Sequence, residues 1–286
     1  MLSWAAPIFP ATSIKDVNNS GHMITSATYS TDEMMTIAAS RLLGNGAVCF
    51  VGIGLPSAAA NLARLTHAPD AVLIYESGTV GAKPSVLPLS IGDSELAETA
   101  DFIVSIPEIF RYWLQAGRID VGFLGAAQID RFGNINTTVI GDYQQPKTRL
   151  PGAGGAPEIA SSAKEVFVVL RQNPRGFVGQ LDFITSAGYL SGGNARDEAG
   201  IPGRGPTHVV TDIGILQPDP QTRELIMTAL YPGKTVDEAR AATGWPLKFA
   251  DQIQRIDPPD QVELDVLRDL HQRTATAHQK LLDHAP

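Results

Sequence analysis

Glu76 ends the apolar run Ala71-Val72-Leu73-Ile74-Tyr75, and Ser77 and Gly78 follow at once. An unbroken apolar run with β-branched and aromatic members reads as a short buried strand. Ser77, Gly78, Gly81 and Pro84 interrupt it, so Glu76 is expected where a strand gives way to a loop. At the carboxyl edge of an open α/β sheet, a half-buried carboxylate is a candidate nucleophile or base. The plainer reading, an acid that caps the next turn, is the commoner fate of a strand-end glutamate. A second group is Gly152-Ala153-Gly154-Gly155-Ala156-Pro157. Pro157 suits the first turn of a helix over 158–163, and the glycines ahead of it leave several N–H groups free. Such a nest binds an anion or a developing oxyanion, although a tight turn would use the same residues. It lacks the GK[ST] ending of a phosphate loop. Paired, the two groups fit acyl transfer through a covalent carboxyl intermediate: Glu76 attacks a thioester carbonyl and the nest holds the oxyanion.

A third pattern competes. Gly52-Ile53-Gly54-Leu55-Pro56-Ser57 opens a helix after an apolar run, and Glu76 lies about 20 residues on, where a ribose-binding acid is expected in a dinucleotide fold. Ser57 at the third glycine position and Pro56, which has no N–H to offer a pyrophosphate, count against an NAD-binding oxidoreductase and leave it a distant alternative. Other chemistries are excluded more firmly. No GxSxG elbow is present, and the single cysteine, Cys49, sits inside the apolar stretch 47–51, so no disulfide framework and no cysteine metal site exist. The six histidines show no HExxH or paired metal spacing, and no metal is expected.

The elements that must position these groups follow from composition and period. Among 286 residues, 43% are hydrophobic and 18% charged, which describes a well-buried globular chain. A net charge of -8 argues against a general nucleic-acid binder, while leaving room for a local phosphate site. No run of about 18 apolar residues spans a membrane, and the start, Met1-Leu2-Ser3-Trp4, has no basic segment ahead of its apolar residues, so a cytoplasmic protein without a secretory signal is expected. Residues 1–30 read as a loose tail in which Met23 is a candidate start, and 31–286 as a single domain. Thr31 or Asp32 caps a helix through Leu43, and strands are expected at 47–51, 71–75, 101–105, 120–125, 137–141, 165–170, 181–185, 207–211 and 224–229. Helices are expected at 58–65, 108–116 (Ile109, Phe110, Trp113 and Leu114 forming its core face), 158–163, 235–243 and 260 to about 282. The Gly-rich loop 188–206 is long enough to be functional or mobile. The fold class is α/β, with an open, largely parallel sheet flanked by helices.

Several of these segments occur in an order that resembles the β subunit of the family I CoA-transferases. They are Glu76-Ser77-Gly78, Gly125-Ala126-Ala127-Gln128-Ile129-Asp130, Phe132-Gly133-Asn134-Ile135-Asn136, Gly141-Asp142-Tyr143, Gly152 to Ala156 and Thr211-Asp212. The likeness runs from about Thr31 to beyond Leu267 and is nearest to the branch acting on glutaconate and 3-oxoadipate. It implies a CoA-transferase fold of the NagB/RpiA-like kind. It implies that Glu76 carries CoA as a thioester in a ping-pong cycle, with coenzyme A thioesters as substrates and no permanently bound cofactor. The glycine cluster matches the oxyanion segment, with Gly154 or Gly155 as N–H donor and Gly152 beside them. Ser77, Gly78, Gln128, Asp130 and Asn136 become substrate-site candidates; by residue type alone, Asp130 and Asn136 are turn formers. For 3-oxoadipate the donor would be succinyl-CoA; glutaconate or another short dicarboxylate or 3-oxoacid is the alternative. Lys83, Arg111, Lys147 and Arg149 are candidate carboxylate partners. The family also implies an α subunit closing the site, since its glycine-rich CoA motif is absent here.

Overall fold

The computed structural model of this chain describes residues 28–283. Its first half runs α1 (Thr31–Arg41), β1 (Val48–Phe50), α2 (Leu55–Leu65), β2 (Val72–Ile74), β3 (Thr79–Val80), α3 (Ser94–Glu98), β4 (Phe102–Ile103), α4 (Ile106–Glu108) and β5 (Val121–Gly125). Two ribbons follow, β6 (Gln128–Ile129) with β7 (Ile135–Asn136) and β8 (Val139–Gly141) with β9 (Pro146–Arg149). The remainder is α5 (Ala156–Ser162), β10 (Glu165–Val169), α6 (Ala195–Glu198), β11 (Pro206–Val210), β12 (Gly214–Pro218), β13 (Leu225–Leu230), α7 (Val236–Ala241), β14 (Lys248–Arg255) and α8 (Gln261–Asp283).

Ten strands form one sheet in the order β14-β13-β12-β11-β10-β5-β1-β2-β3-β4. Only β12 and β3 run against the rest, so the α/β architecture with a largely parallel sheet is present as expected. The chain leaves β1 for β2 on one side and returns to β5 on the other, the strand-order reversal at which open α/β sheets form a crevice at the strands' carboxyl ends.

Side-chain alternation divides the core into two layers. Cys49, Val51, Leu73, Tyr75 and Phe123 pack under α1 and α2. Phe50, Ile74, Leu124, Val166 and Val168 pack under α5 and α7. A smaller cluster ties Ile37, Ala58 and Leu62 to Leu264 and Leu267 of α8. Arg41 binds Glu263 at 2.6 Å, and Arg268 binds Glu33 at 2.6 Å, so the last helix clasps the first.

Several local expectations change. Ser30, rather than Thr31 or Asp32, caps α1 through a capping box with Glu33. Residues 181–185 form no strand; Thr185 instead spends its hydroxyl on Thr137 and Thr138, and the stretch lies against β7 as a loop. The antiparallel β12 and the edge strand β14 were not expected. The expected helix over 108–116 is α4 followed by a π-helical segment, Ile109–Leu114. The expected tail and Met23 lie outside the described residues, except for 28–30.

Candidate active site

Glu76 lies in the tight turn between β2 and β3. The Gly78 N–H donates to the Tyr75 carbonyl at 3.0 Å, and the Tyr75 N–H donates to the Thr79 carbonyl at 3.1 Å. Gly78 takes φ +103, and a Cβ there would lie 2.0 Å from the Val104 carbonyl oxygen, so both conformation and space demand glycine. Tyr75 is wholly buried, and its phenol meets Ser57 Oγ at 3.2 Å and Asn61 Nδ2 at 3.4 Å, pinning the strand end to α2. Ser57, at the missing-glycine position of the dinucleotide-like pattern, is thus part of the core. Val72, Ile74 and Glu76 share a parity, so the half-buried Glu76 carboxylate turns to the α5 face.

The glycine nest meets it there. A Cβ built on Gly155 would stand 3.1 Å from Glu76 Oε1, which places the carboxylate directly against the entrance to α5. The N–H groups of Gly154 and Gly155 donate to no acceptor among the described residues. Gly152 and Gly154 adopt φ +105 and +50 in open space, whereas Gly155 has an ordinary φ of −83 and is glycine because of its neighbours. Thr137 holds the near side of the nest, accepting from the Gly152 N–H through its carbonyl and donating to the Gly152 carbonyl through its hydroxyl, both at 2.8 Å. Gly122 of β5 lets α5 sit close to the sheet, since a Cβ would lie 2.4 Å from Ile159 Cγ2. At the far end of α5, the buried Arg196 donates to the carbonyls of Ala160 at 2.7 Å and Ser161 at 3.4 Å. It donates as well to Ala187, Gly188 and Gly203, so the Gly-rich loop 188–206 is held against the helix.

The other sequence candidates gather elsewhere. Gln128 and Asn136 pair across the β6–β7 ribbon, with Asn136 Nδ2 donating to Gln128 Oε1 at 2.9 Å. Gln128 Nε2 in turn reaches the Arg175 carbonyl at 3.4 Å. Asp130 accepts from the N–H groups of Phe132 and Asn134 and from Asn134 Nδ2, all within 3.0 Å. Burial pushes the Asp130 carboxyl above its usual range against those hydrogen bonds. The hydrogen bonds of these three side chains tie the ribbon to its own loop and to the neighbouring one. Ser77, beside Glu76, keeps a buried hydroxyl with no partner among the described residues. Lys83 pairs with Asp101 at 2.7 Å, Arg149 lies over the Tyr143 ring, and Arg111 and Lys147 are exposed. Burial drives the Cys49 thiol far above its usual range, so it stays a neutral core side chain. Among the described residues no group of three or more histidine, cysteine or acidic side chains could hold a metal ion, and no helix is long and apolar enough to cross a membrane. Sequence reasoning passed over Thr137, Gly122 and Arg196 because each acts by placing something else.

A carboxylate at the carboxyl edge of a mostly parallel sheet, set against free N–H groups at a helix entrance, suits acyl transfer. The chain belongs to the coenzyme A transferase family, whose pattern matches residues 32–242. Within it, the chain is 65% identical over 250 residues to a subunit of the 3-oxoadipate CoA-transferase of Pseudomonas knackmussii, covering 87% of this chain and 96% of that one. It is 35% identical to a subunit of the glutaconate CoA-transferase of Acidaminococcus fermentans, over 84% of this chain and 92% of that protein. The solved structure of glutaconate coenzyme A-transferase from that organism superposes with a TM-score of 0.80 and 33% identity, covering 85% of this chain and 95% of the other.

Proposed function

We propose that this chain is the β subunit of a CoA-transferase that moves CoA from succinyl-CoA to 3-oxoadipate, with Glu76 as the covalent carrier. The observation that carries the reading is the close approach of the Glu76 carboxylate to Gly155, beside two N–H groups with no acceptor among the described residues. The Glu76 carboxylate attacks the thioester carbonyl, and the oxyanion formed accepts from the Gly154 or Gly155 N–H. The C–S bond breaks, leaving a mixed anhydride and CoA thiolate. The thiolate attacks Glu76 Cδ, succinate departs, and a glutamyl-CoA thioester remains. The acceptor carboxylate reverses these steps, and no proton is gained or lost over the cycle. The likeness to a subunit of 3-oxoadipate CoA-transferase supports the choice of acceptor and a partner chain that completes the site.

Incubating the assembled complex with succinyl-CoA and digesting it should give a peptide carrying CoA on Glu76, seen by mass spectrometry. Glu76→Gln should lose the adduct and about a thousandfold or more in transfer rate. A fully active Glu76→Gln complex would falsify the proposal. Comparing 3-oxoadipate, glutaconate and acetoacetate as acceptors separates the 3-oxoadipate reading from the glutaconate one, which the 35% relative supports.

A further inference from the structure

The Phe110 ring occupies the space that Gly155 leaves by having no side chain. A Cβ there would stand 2.7 Å from Phe110 Cζ and 3.0 Å from Cε1, besides lying 3.1 Å from Glu76 Oε1. The ring edge, the carboxylate and the nest therefore converge on one point. On its inner side the ring tilts against Phe50, with centroids 6.1 Å apart, and Phe50 is 1% exposed. An apolar wall thus runs from the sheet core to the reacting carboxylate.

The ring's placement depends on the π-helical register. The Gln115 N–H donates to the Phe110 carbonyl at 2.8 Å, five residues back. Ile109 and Leu114 are both wholly buried. On an α-helix, residues five apart diverge by about 140°, so the wider turn is what lets both face inward. Segments of this kind recur at functional sites.

We infer that Phe110 is the water barrier of the Glu76 site and sets the ratio of CoA transferred to acid against CoA lost to water. The inference rests on the reading of Glu76 as CoA carrier. In the competing reaction, a water oxygen attacks Glu76 Cδ and the C–S bond breaks. One water proton goes to the departing thiolate and the other to solvent, and the free carboxylate returns. An aromatic edge offers water neither donor nor acceptor at that carbon, whereas an acceptor acid brings its own carboxylate oxygen.

The test uses the complex assembled with its partner chain, comparing native enzyme with Phe110→Ala and Phe110→Leu. Thiol release from succinyl-CoA is measured without acceptor, acyl-CoA formation with acceptor, and the CoA adduct on Glu76 by mass spectrometry. Phe110→Ala should raise the ratio of hydrolysis to transfer about tenfold or more, while Phe110→Leu, which keeps apolar bulk, stays within about twofold of native. Should Phe110→Ala not assemble, Phe110→Val carries the same measurement. A purely structural role lowers both rates together, so an unchanged ratio in a truncated variant that still forms the adduct overturns the barrier. Absence of the adduct from the native complex instead removes the reading of Glu76, and the barrier with it.

Discussion

At the nest, adjacent glycines answer to different constraints. Gly154 needs the left-handed backbone region, with open space beyond its hydrogen atoms; Gly155 has an ordinary backbone but no room for a methyl group. Gly154→Ala should therefore cost about 1 kcal/mol of stability and leave transfer largely intact. Gly155→Ala should displace Phe110 and Glu76 and lower kcat about a hundredfold, since sub-ångström placement of the nucleophile is at stake. Thermal melts and steady-state rates on the two variants check the contrast, which reverses if Gly154 is the more sensitive position for catalysis. Much of this site is legible in sequence. Glu76 shares parity with Val72 and Ile74, so the face it turns to follows from the strand period. The contact with Phe110 does not follow, because α-helical spacing puts Ile109, Phe110, Trp113 and Leu114 on one core face, and the π register moves Phe110 partly out of it.

The helix that carries the nest is short, and its ends are fixed from outside. Arg196 replaces the missing partners of its last carbonyls and joins them to the loop 187–203. Desolvation lowers the pKa of this guanidinium, yet its five carbonyl bonds keep it in place. Arg196→Ala should cost roughly 3 kcal/mol, because several buried carbonyls lose their donor at once. A urea titration measures the loss, and a drop below about 1 kcal/mol would remove Arg196 from this role. Elements with a strong apolar run were readable: β1, β2, β5 and β10 all fall inside their expected spans. The strand β14, KFADQIQR, is mostly exposed or half-buried and gives no such run. Residues 181–185 carry strand-forming side chains, but tertiary hydrogen bonds through Thr185 take them into a loop.

Across the whole molecule, pH sensitivity centres on His208 of β11. Its ring packs edge-on against Phe167 at 5.0 Å, and Gln217 Nε2 lies 3.0 Å from its Nε2. Burial, with Arg204 adding to it, pulls the imidazole down to about 4. The unfolded chain takes up a proton near pH 6.5 while the native one stays neutral, so stability is full above that value and falls as pH drops toward about 4. The loss reaches up to about 3 kcal/mol. Urea midpoints at pH 7 and 4.5 should converge in His208→Gln relative to native, and parallel behaviour of the two proteins would refute the assignment. Glu33, held below its usual range chiefly by Arg268, adds acid sensitivity at lower pH still. That same pair belongs to the clasp of α8 on α1 and α2, and the clasp sets an order of events. Ile37, Ala58 and Leu62 share a cluster with Leu264 and Leu267, more than two hundred residues later, with Tyr29 and Leu87 packed at its margin. During synthesis the first helices emerge early, and this face lacks part of its cover until α8 has been made. The distance along the chain from α1 to α8 thus sets how long the nascent protein shows that partly covered apolar face, the kind of surface on which nascent chains aggregate.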